Sequence, residues 1–294
     1  LCAAALAGLA GCGAAAKGAT AASNIMAAPP SGADYVQPAE VTVPYPAYDG
    51  IDTSGVDGGW VFASAWSDAR LKFQVTCGDM TYNYDLPNDG TPTAFPVNMG
   101  DGYYQFRVMM NTEGNNYVEL NSTGASVALW SEFAPFLVPN QFCNYTPTSA
   151  CVEKARELTA DSTNEGEAVQ AICMYVAQNT SYDKAKAEEL KNSSGYIPFP
   201  DDTLATHTGI CFDYASLSAA MLRSMGFPTK VVTGYVGDEQ LYHAWIMVYA
   251  DGDWHTAQFS VNPNEWSRCD VTFASTGSTQ YTGSGSGYTD KYTY

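Results

Sequence analysis

The chain has 294 residues, of which 46% are hydrophobic and 13% aromatic, enough apolar material for about two folded domains. It carries 31 acidic and 13 basic side chains, which give a formal net charge of −18. Because this charge repels phosphate groups and no lysine or arginine cluster offsets it locally, we expect neither nucleic acid nor an anionic membrane surface as a partner.

The first residues, LCAAALAGLAGCGAAAK, form an apolar run that is too short to span a membrane and is typical of a signal-peptide core. The segment Leu9-Ala10-Gly11-Cys12 resembles the bacterial lipobox, in which a peptidase cuts before the cysteine and its thiol carries diacylglycerol. We therefore predict a truncated signal peptide over residues 1–12 and a mature protein attached to the outside of the cell membrane through lipidated Cys12. The alternative is a short buried helix.

Residues 13–50 read as a linker, because they hold few large apolar groups and the prolines in VTVPYPAYDG oppose a helix. Residues 51–138 change to short alternating runs, such as LKFQVTC, MTYNYDL and YYQFRVMM, with turn residues such as Asn88-Asp89-Gly90 between them. This spacing predicts a small antiparallel β-sandwich.

Residues 139–294 begin with helical periodicity and continue with strands, so we predict an α+β domain there. Helices are expected in SACVEKARELTA and NEGEAVQAICMYVAQNT, and the composition of SYDKAKAEELKN favours a further helix there. In the second helix the apolar residues Val169, Ile172, Cys173 and Val176 fall on one stripe.

The segment THTGICFDYASLSAAMLRSMGFP places Cys211 in the first turn of a further predicted helix. Gly209 can supply an unusual backbone geometry before the helix, and Gly226 followed by Pro228 ends it. The N–H groups and the positive dipole end of a helix N-terminus favour a thiolate and can stabilise an oxyanion, so Cys211 is a candidate nucleophile.

Strands are predicted after this helix. They are TKVVTGYV, then a hairpin in which Leu241 to Tyr249 pairs with Asp253 to Phe259, then NEWSRCDVTFAST with Asp270 inside it, and a last extended YTDKYTY.

A nucleophilic cysteine needs an imidazole base, and the base needs an acceptor on its other nitrogen. His207 lies in the loop before the helix, and His255 alternates with Trp254 in a strand. His243 lies in an apolar strand, where a buried ring needs polar partners. It is therefore the best candidate base, although a core histidine satisfied by ordinary hydrogen bonds is the alternative.

Together, GICFDYASLSAAMLRSMGFPTKVVTGYV, YHAWIMVY and EWSRCDVTFAST resemble the transglutaminase-like superfamily, from about Pro139 to the C-terminus. The resemblance implies a fold related to papain-type cysteine peptidases. It also implies Cys211 as nucleophile, His243 as general base and acid, and Asp270 as the residue that orients His243.

The family spacing Trp-x-x-x-Asp leads from Trp254 to Gln258 and from Trp266 to Asp270, so we predict Asp270 and keep Gln258 as the alternative. Gln258 could accept from the ring but could not stabilise imidazolium with a charge. The family also brings a tyrosine near the site, which gives Tyr182 either a secondary oxyanion role or a packing role. Asp213 and Tyr214 are expected to be structural.

Cys143 and Cys151 could close a small loop as a disulfide, the one pairing that the spacing suggests. We see no metal-binding motif and no phosphate loop, so no cofactor and no metal are predicted.

The resemblance implies acyl transfer through a thioester on protein or peptide amides, such as a cell-wall peptide. We expect hydrolysis more than Gln–Lys cross-linking, because water is in excess outside the cell. Two alternatives are an inactive transglutaminase-like scaffold or binding module at the cell surface, and an adhesion protein in which the sandwich does the work.

Overall fold

The described residues form two compact units, residues 50–141 and 142–294. The structure is a computed structural model, and it describes residues 50–191, 193, 195–238, 240–251, 254–255, 260–261, 265–276 and 287–294. The predicted signal peptide, lipidated Cys12 and almost all of the predicted linker lie outside these residues. Within them, no helix has both the length and the apolar composition that crossing a membrane requires.

The first unit contains two antiparallel sheets. One sheet has the order β1-β2-β5 and the other the order β4-β3-β6-β7. The strands are β1 (Gly50–Asp52), β2 (Trp60–Ser64), β3 (Leu71–Cys77), β4 (Met80–Leu86), β5 (Thr93–Pro96), β6 (Gly102–Glu113) and β7 (Asn116–Val127). The predicted runs LKFQVTC, MTYNYDL and YYQFRVMM form β3, β4 and β6, which confirms them. The alternation of apolar and polar residues did not predict β1, β2 or β5.

Aromatic side chains fill the space between the two sheets. The rings of Phe73 on β3 and Phe95 on β5 lie 4.6 Å apart, and Tyr84 on β4 lies 5.1 Å from Phe95. All three are buried. Contacts between rings from both sheets are the core of a sandwich, because aromatic pairs supply both large buried area and preferred geometry.

The second unit contains six described helices: α1 (Ala150–Thr159), α2 (Glu165–Asn179), α3 (Lys184–Leu190), α4 (Pro200–Thr206), α5 (Cys211–Ser224) and α6 (Val271–Ser275). The predicted stripe of α2 is confirmed, since Val169, Ile172, Cys173 and Val176 are all fully buried. The end of α5 is also as predicted, because Gly226 adopts the left-handed conformation with φ 85°.

The same unit contains eight strands in the described ranges. They are β8 (Ser181–Tyr182), β9 (Thr208–Gly209), β10 (Thr229–Val236), β11 (Leu241–Ala250), β12 (Trp254–His255), β13 (Ser260–Val261), β14 (Glu265–Cys269) and β15 (Tyr288–Thr293). The main sheet has the order β14-β11-β10-β15, and helix α5 packs against β10 and β11. This mixture of helices and an antiparallel sheet confirms the α+β prediction.

The predicted hairpin is wrong. Strand β11 pairs with β14, with Ile246 opposite Cys269, and β12 pairs with β13 instead. The turn signal after Tyr249 favours a local hairpin, but the apolar β11 is stabilised by pairing with a strand further along the chain. This pairing carries the end of β14, and therefore Asp270, to the strand that holds His243.

The suggested disulfide between Cys143 and Cys151 is also wrong, because both thiols are free and buried in the hydrophobic core. Burial raises the pKa of the Cys143 thiol to about 11 and raises the pKa of Cys151 still further. Both therefore act as small apolar side chains of the core.

Glu165, the first residue of α2, is a carboxyl group that is only 1% exposed. Its Oε2 accepts the backbone N–H of Asp251, and its Oε1 has no hydrogen-bond partner among the described residues. Burial raises the pKa of Glu165 from 4.5 to about 7, and the neighbouring Asp251 charge adds to the rise. The ionised form is therefore costly in the folded protein.

We expect Glu165→Gln to stabilise the protein at pH 8 but not at acidic pH. Because the folded pKa lies above the unfolded one, the folded state binds more protons between these values, so stability is greatest below the unfolded pKa and falls as pH rises towards about 7. The neutral amide removes this loss, which is at most about 3 kcal/mol. The measurement is the free energy of unfolding in urea at pH 4.5 and at pH 8.

The matched control is Glu167→Gln, two positions further along the first turn of α2. Hydrogen bonds from Thr163 lower the pKa of exposed Glu167, so its linkage has the opposite sign. This variant should lose a little stability at pH 8. If the free energy of unfolding had the same pH dependence in Glu165→Gln and in the unmodified protein, the raised pKa of Glu165 would be contradicted.

Candidate active site

Cys211 is the first residue of helix α5 and is 2% exposed. The preceding residue, Ile210, has an extended backbone, and its N–H donates to Asp213 Oδ2 at 2.8 Å. This bond satisfies a backbone donor that the helix itself leaves unpaired. The predicted position of Cys211 in the first helical turn is confirmed, and it exposes the sulfur to the positive end of the helix dipole.

Gly209 is needed for space and not for an unusual backbone angle, which corrects the sequence-based expectation. It has no positive φ. A Cβ atom at this position would lie 2.6 Å from the Cβ of Asp213 and 3.0 Å from its Oδ2. Glycine therefore allows the chain to approach the carboxylate that caps α5.

Asp213 is fully buried and holds the start of α5 to two other segments. Its Oδ2 lies 2.8 Å from Lys186 Nζ, and its Oδ1 accepts the hydroxyl of Tyr196. Burial, reinforced by the neighbouring carboxylate, raises the pKa of Tyr196 and keeps its hydroxyl protonated as a donor. The expected structural role of Asp213 is thus explained: it is a buried charge with an ion pair and hydrogen bonds.

Tyr182 and Tyr214 also lie close to the start of α5. Tyr182 on β8 is opposite Gly209 on β9 in a parallel pair and packs against the hydrophobic core. Burial raises the pKa of Tyr182 to about 12. The buried Tyr214 donates its hydroxyl to Thr180 O at 2.6 Å, which is a structural contact as expected. An oxyanion role for Tyr182 stays a prediction.

His243 and Asp270 are in direct contact. His243 Nε2 lies 2.8 Å from Asp270 Oδ2, although the two residues are 27 positions apart, and each residue is 3% exposed. A buried imidazole and a buried carboxylate are each costly alone, so their pairing explains how both are tolerated. The ring is thus satisfied by a carboxylate, and the catalytic role of His243 stays a prediction.

The contact fixes the tautomer of His243. A carboxylate can only accept a hydrogen bond, so in the neutral ring Nε2 carries the proton and Nδ1 is the nitrogen with acceptor character. A ring held in this way can accept a proton at Nδ1 and can stabilise the resulting positive charge through Asp270. This is the arrangement that a general base and acid requires.

Aromatic rings surround His243. The ring of Phe273 on α6 stacks on it at a centroid distance of 4.6 Å, and Trp245 lies on the same strand at 6.2 Å. These rings limit the access of water and restrict rotation of the imidazole. Charges interact more strongly in such surroundings than in water.

Asp270 differs from the prediction in its local structure. It follows β14 and begins helix α6, where its Oδ1 accepts the Phe273 N–H at 3.0 Å as an N-cap. Its Oδ2 also accepts the hydroxyl of Tyr288 at 2.8 Å. The carboxylate thus has three donors. The alternative orienting residue, Gln258, lies outside the described residues.

The sulfur of Cys211 is disulfide-bonded in this structure. The five other cysteines of the described ranges, Cys77, Cys143, Cys151, Cys173 and Cys269, are free. The structure brings His243 and Asp270 together and places Cys211 at the start of the helix that packs on their sheet. Chemistry at the sulfur requires that the disulfide first be reduced.

The other two histidines belong to other elements of the fold. His207 is exposed at the C-terminal end of α4, with Nδ1 at 2.9 Å from Asn179 O. His255 lies on β12, and its side chain is outside the described part of the structure. The described ranges also contain no group of three or more His, Cys, Asp or Glu residues arranged to bind a metal ion.

Comparison with known proteins supports the relation suggested by the motifs. Residues 152–270, which include Cys211, His243 and Asp270, match the family model of the transglutaminase-like superfamily. An uncharacterised protein of Mycobacterium leprae is 27% identical over 164 residues, which cover 50% of this chain and 56% of that protein. The human kyphoscoliosis peptidase is 31% identical over 120 residues, which cover 37% of this chain and 18% of the peptidase.

Among solved structures, the periplasmic domain of TgpA from Pseudomonas aeruginosa aligns over 73% of this chain and 92% of that chain, with 15% identity and a TM-score of 0.37. The matched region of this chain spans about half the length of the Mycobacterium leprae protein and under a fifth of the human peptidase. From the family match and the ordered cysteine, histidine and aspartate motifs, residues 152–270 are a domain of the transglutaminase-like superfamily.

Proposed function

We propose that the protein is a cysteine-dependent acyl-transfer enzyme that acts on protein or peptide amides, with Cys211 as nucleophile, His243 as base and acid, and Asp270 as the orienting carboxylate. The observation that carries the proposal is the 2.8 Å contact between His243 Nε2 and Asp270 Oδ2 inside the protein. A buried pair of this kind costs free energy to desolvate, and orienting a catalytic imidazole is one role that such a carboxylate has in enzymes.

The first half of the reaction forms a thioester. His243 Nδ1 takes the proton of the Cys211 thiol, and the thiolate attacks the amide carbonyl carbon. The C–N bond then breaks, and the imidazolium returns its proton to the departing amine. Asp270 remains ionised and stabilises the imidazolium throughout.

The second half releases the acyl group. Water loses a proton to His243 and attacks the thioester carbonyl, and the C–S bond breaks as the sulfur recovers the proton. A primary amine in place of water would give cross-linking by the same steps. N–H groups at the start of α5 are in the region where an oxyanion on the attacked carbonyl would need donors.

We favour hydrolysis because the proposed location is outside the cell, where water is in excess. The proposal places the enzyme on the outer side of the membrane through lipidated Cys12, as the lipobox-like segment suggests. Processing there would remove Cys2 and alkylate Cys12. The substrate would then be an extracellular protein or a cell-wall peptide.

The whole 294-residue chain is expected to be active only after reduction of the Cys211 disulfide. A sulfur in a disulfide has no thiolate to offer, so adding dithiothreitol should raise the rate by roughly tenfold or more. The measurement is the rate of cleavage of dimethylated casein with and without reductant. Cleavage is detected by labelling the new amino termini. Iodoacetamide added after reduction should abolish cleavage, and full activity of a protein alkylated at Cys211 would contradict a nucleophilic Cys211.

The acyl acceptor can be measured in the same assay. With the reduced protein in water enriched in oxygen-18, hydrolysis places one heavy oxygen in each product carboxyl group. Dansylcadaverine added as a competing amine reports transfer. Predominant incorporation of the dansyl group would overturn the preference for hydrolysis while leaving the thioester chemistry in place.

A further inference from the structure

Tyr288, the first residue of the last strand, contacts the proposed orienting carboxylate directly. Its hydroxyl donates to Asp270 Oδ2 at 2.8 Å, the same oxygen that receives His243 Nε2. The sequence gives no sign of this contact, because Tyr288 lies in a tyrosine-rich tail 18 positions beyond Asp270. The contact links the His243–Asp270 pair to the C-terminal strand.

The contact crosses the sheet. Strands β14 and β15 are at opposite edges of the order β14-β11-β10-β15, roughly 14 Å apart if the sheet were flat. The β10–β15 pairing is irregular between Thr233 and Gly234. A Cβ atom on Gly234 would lie 2.0 Å from Thr289 O and 2.9 Å from the Trp245 ring. Glycine therefore lets β15 and Trp245 pack closely where the strand irregularity occurs.

Two further groups hold the Tyr288 ring. The Trp245 ring packs edge-on against it at a centroid distance of 4.8 Å, and the guanidinium of Arg268 lies over its face at 4.6 Å. Arg268 also bonds Asp290, two residues along β15, at 3.2 Å. The phenol is thus fixed by packing, by a cation and by an ion pair on its own strand.

We propose that Tyr288 is a positioning residue of the active site, which holds the carboxylate of Asp270 in the orientation that His243 requires. The inference rests on the proposed function. The Phe273 N–H fixes Asp270 Oδ1. The hydroxyl of Tyr288, from the strand at the other edge of the sheet, fixes Oδ2. Two donors at different oxygens prevent rotation of the carboxylate, so the imidazole meets an acceptor at a constant angle.

Tyr288 also competes with His243 for the electron density of one oxygen. When two donors share an acceptor, each bond is weaker than it would be alone. Removing the phenol hydroxyl should strengthen the bond from His243 Nε2 and at the same time leave the carboxylate less well oriented. The two effects give separate signals.

The experiment compares the reduced protein with Tyr288→Phe, which keeps the ring and removes the hydroxyl. The proton on His243 Nε2 should give a low-field proton NMR signal, because the ring is buried. In the variant this signal should move further downfield. Alkylation of Cys211 by iodoacetamide at neutral pH, followed by peptide mass spectrometry, should slow by about tenfold, the effect of losing one hydrogen bond to a charged group.

The matched control is Tyr292→Phe, which removes a hydroxyl from the same strand at a ring that stacks on Tyr294. It should alkylate at the unmodified rate. If Tyr288→Phe leaves both the NMR signal and the alkylation rate unchanged while His243→Gln slows alkylation, the inference about Tyr288 is wrong and the proposed function stands. If His243→Gln has no effect either, the proposed function fails.

A second variant covers the case in which Tyr288→Phe does not fold. Site-specific 3-fluorotyrosine at position 288 keeps every contact and makes the hydroxyl a stronger donor. The His243 signal should then move upfield, opposite to the effect of phenylalanine. A signal that stays in place or moves downfield in the fluorotyrosine variant would overturn the inference.

Discussion

Replacing Cys211 with alanine is expected to abolish amide hydrolysis, with a loss in kcat on the order of 10⁴-fold or more. No other group in the proposed mechanism can form the thioester, and the remaining donors supply only binding and oxyanion stabilisation. The side chain is small and buried, so the alanine variant should lose little stability. The measurement is the rate of casein cleavage by the reduced protein, with thermal unfolding as the test of folding.

Cys77→Ala is the control for this loss. Cys77 is a free, half-buried cysteine at the end of β3, in the other unit of the chain. Its replacement should leave cleavage unchanged. Residual activity of Cys211→Ala within tenfold of the unmodified protein would show that another residue is the nucleophile.

Replacing His243 with glutamine is expected to lower kcat by roughly 10³- to 10⁴-fold. Glutamine has a similar length, and its amide N–H can still donate to the buried carboxylate of Asp270, so the charge keeps a partner. The amide cannot accept a proton near neutral pH, however, so it can neither activate Cys211 nor protonate the leaving amine. Steady-state cleavage by the reduced variant measures this loss.

His207→Gln is the matched control, since it makes the same replacement at an exposed histidine on the helix before the nucleophile. It should retain full activity, because the His207 ring hydrogen-bonds the Asn179 carbonyl and takes no part in the proposed mechanism. Equal losses in the two variants would mean that His243 acts through the general stability of the protein.

The sequence is sufficient to predict the parts of the site that depend on local patterns. The end of the helix that begins at Cys211 follows from Gly226 and Pro228, and His243 follows from a polar ring in an apolar strand. Both signals are local, because helix periodicity and strand burial are set by neighbours along the chain.

The parts that were missed depend on pairing between distant segments. The turn after Tyr249 favours a hairpin, yet β11 pairs with Glu265–Cys269, and only the folded sheet shows this. An aspartate before Val271–Ser275 is a typical helix N-cap, so the signal for α6 was present in the sequence. No local signal leads to Tyr288, because its contact with Asp270 depends on the packing of two opposite sheet edges.

The central claim is that His243 activates Cys211, and it is tested most directly by the pH dependence of Cys211 alkylation. The reduced protein and His243→Gln are treated with iodoacetamide over a range of pH, and labelling of the Cys211 peptide is followed by mass spectrometry. The account predicts that Cys211 of the unmodified protein is labelled rapidly even near about pH 6, where an ordinary thiol is protonated, and that the variant loses this advantage. Identical labelling curves for the two proteins would contradict it.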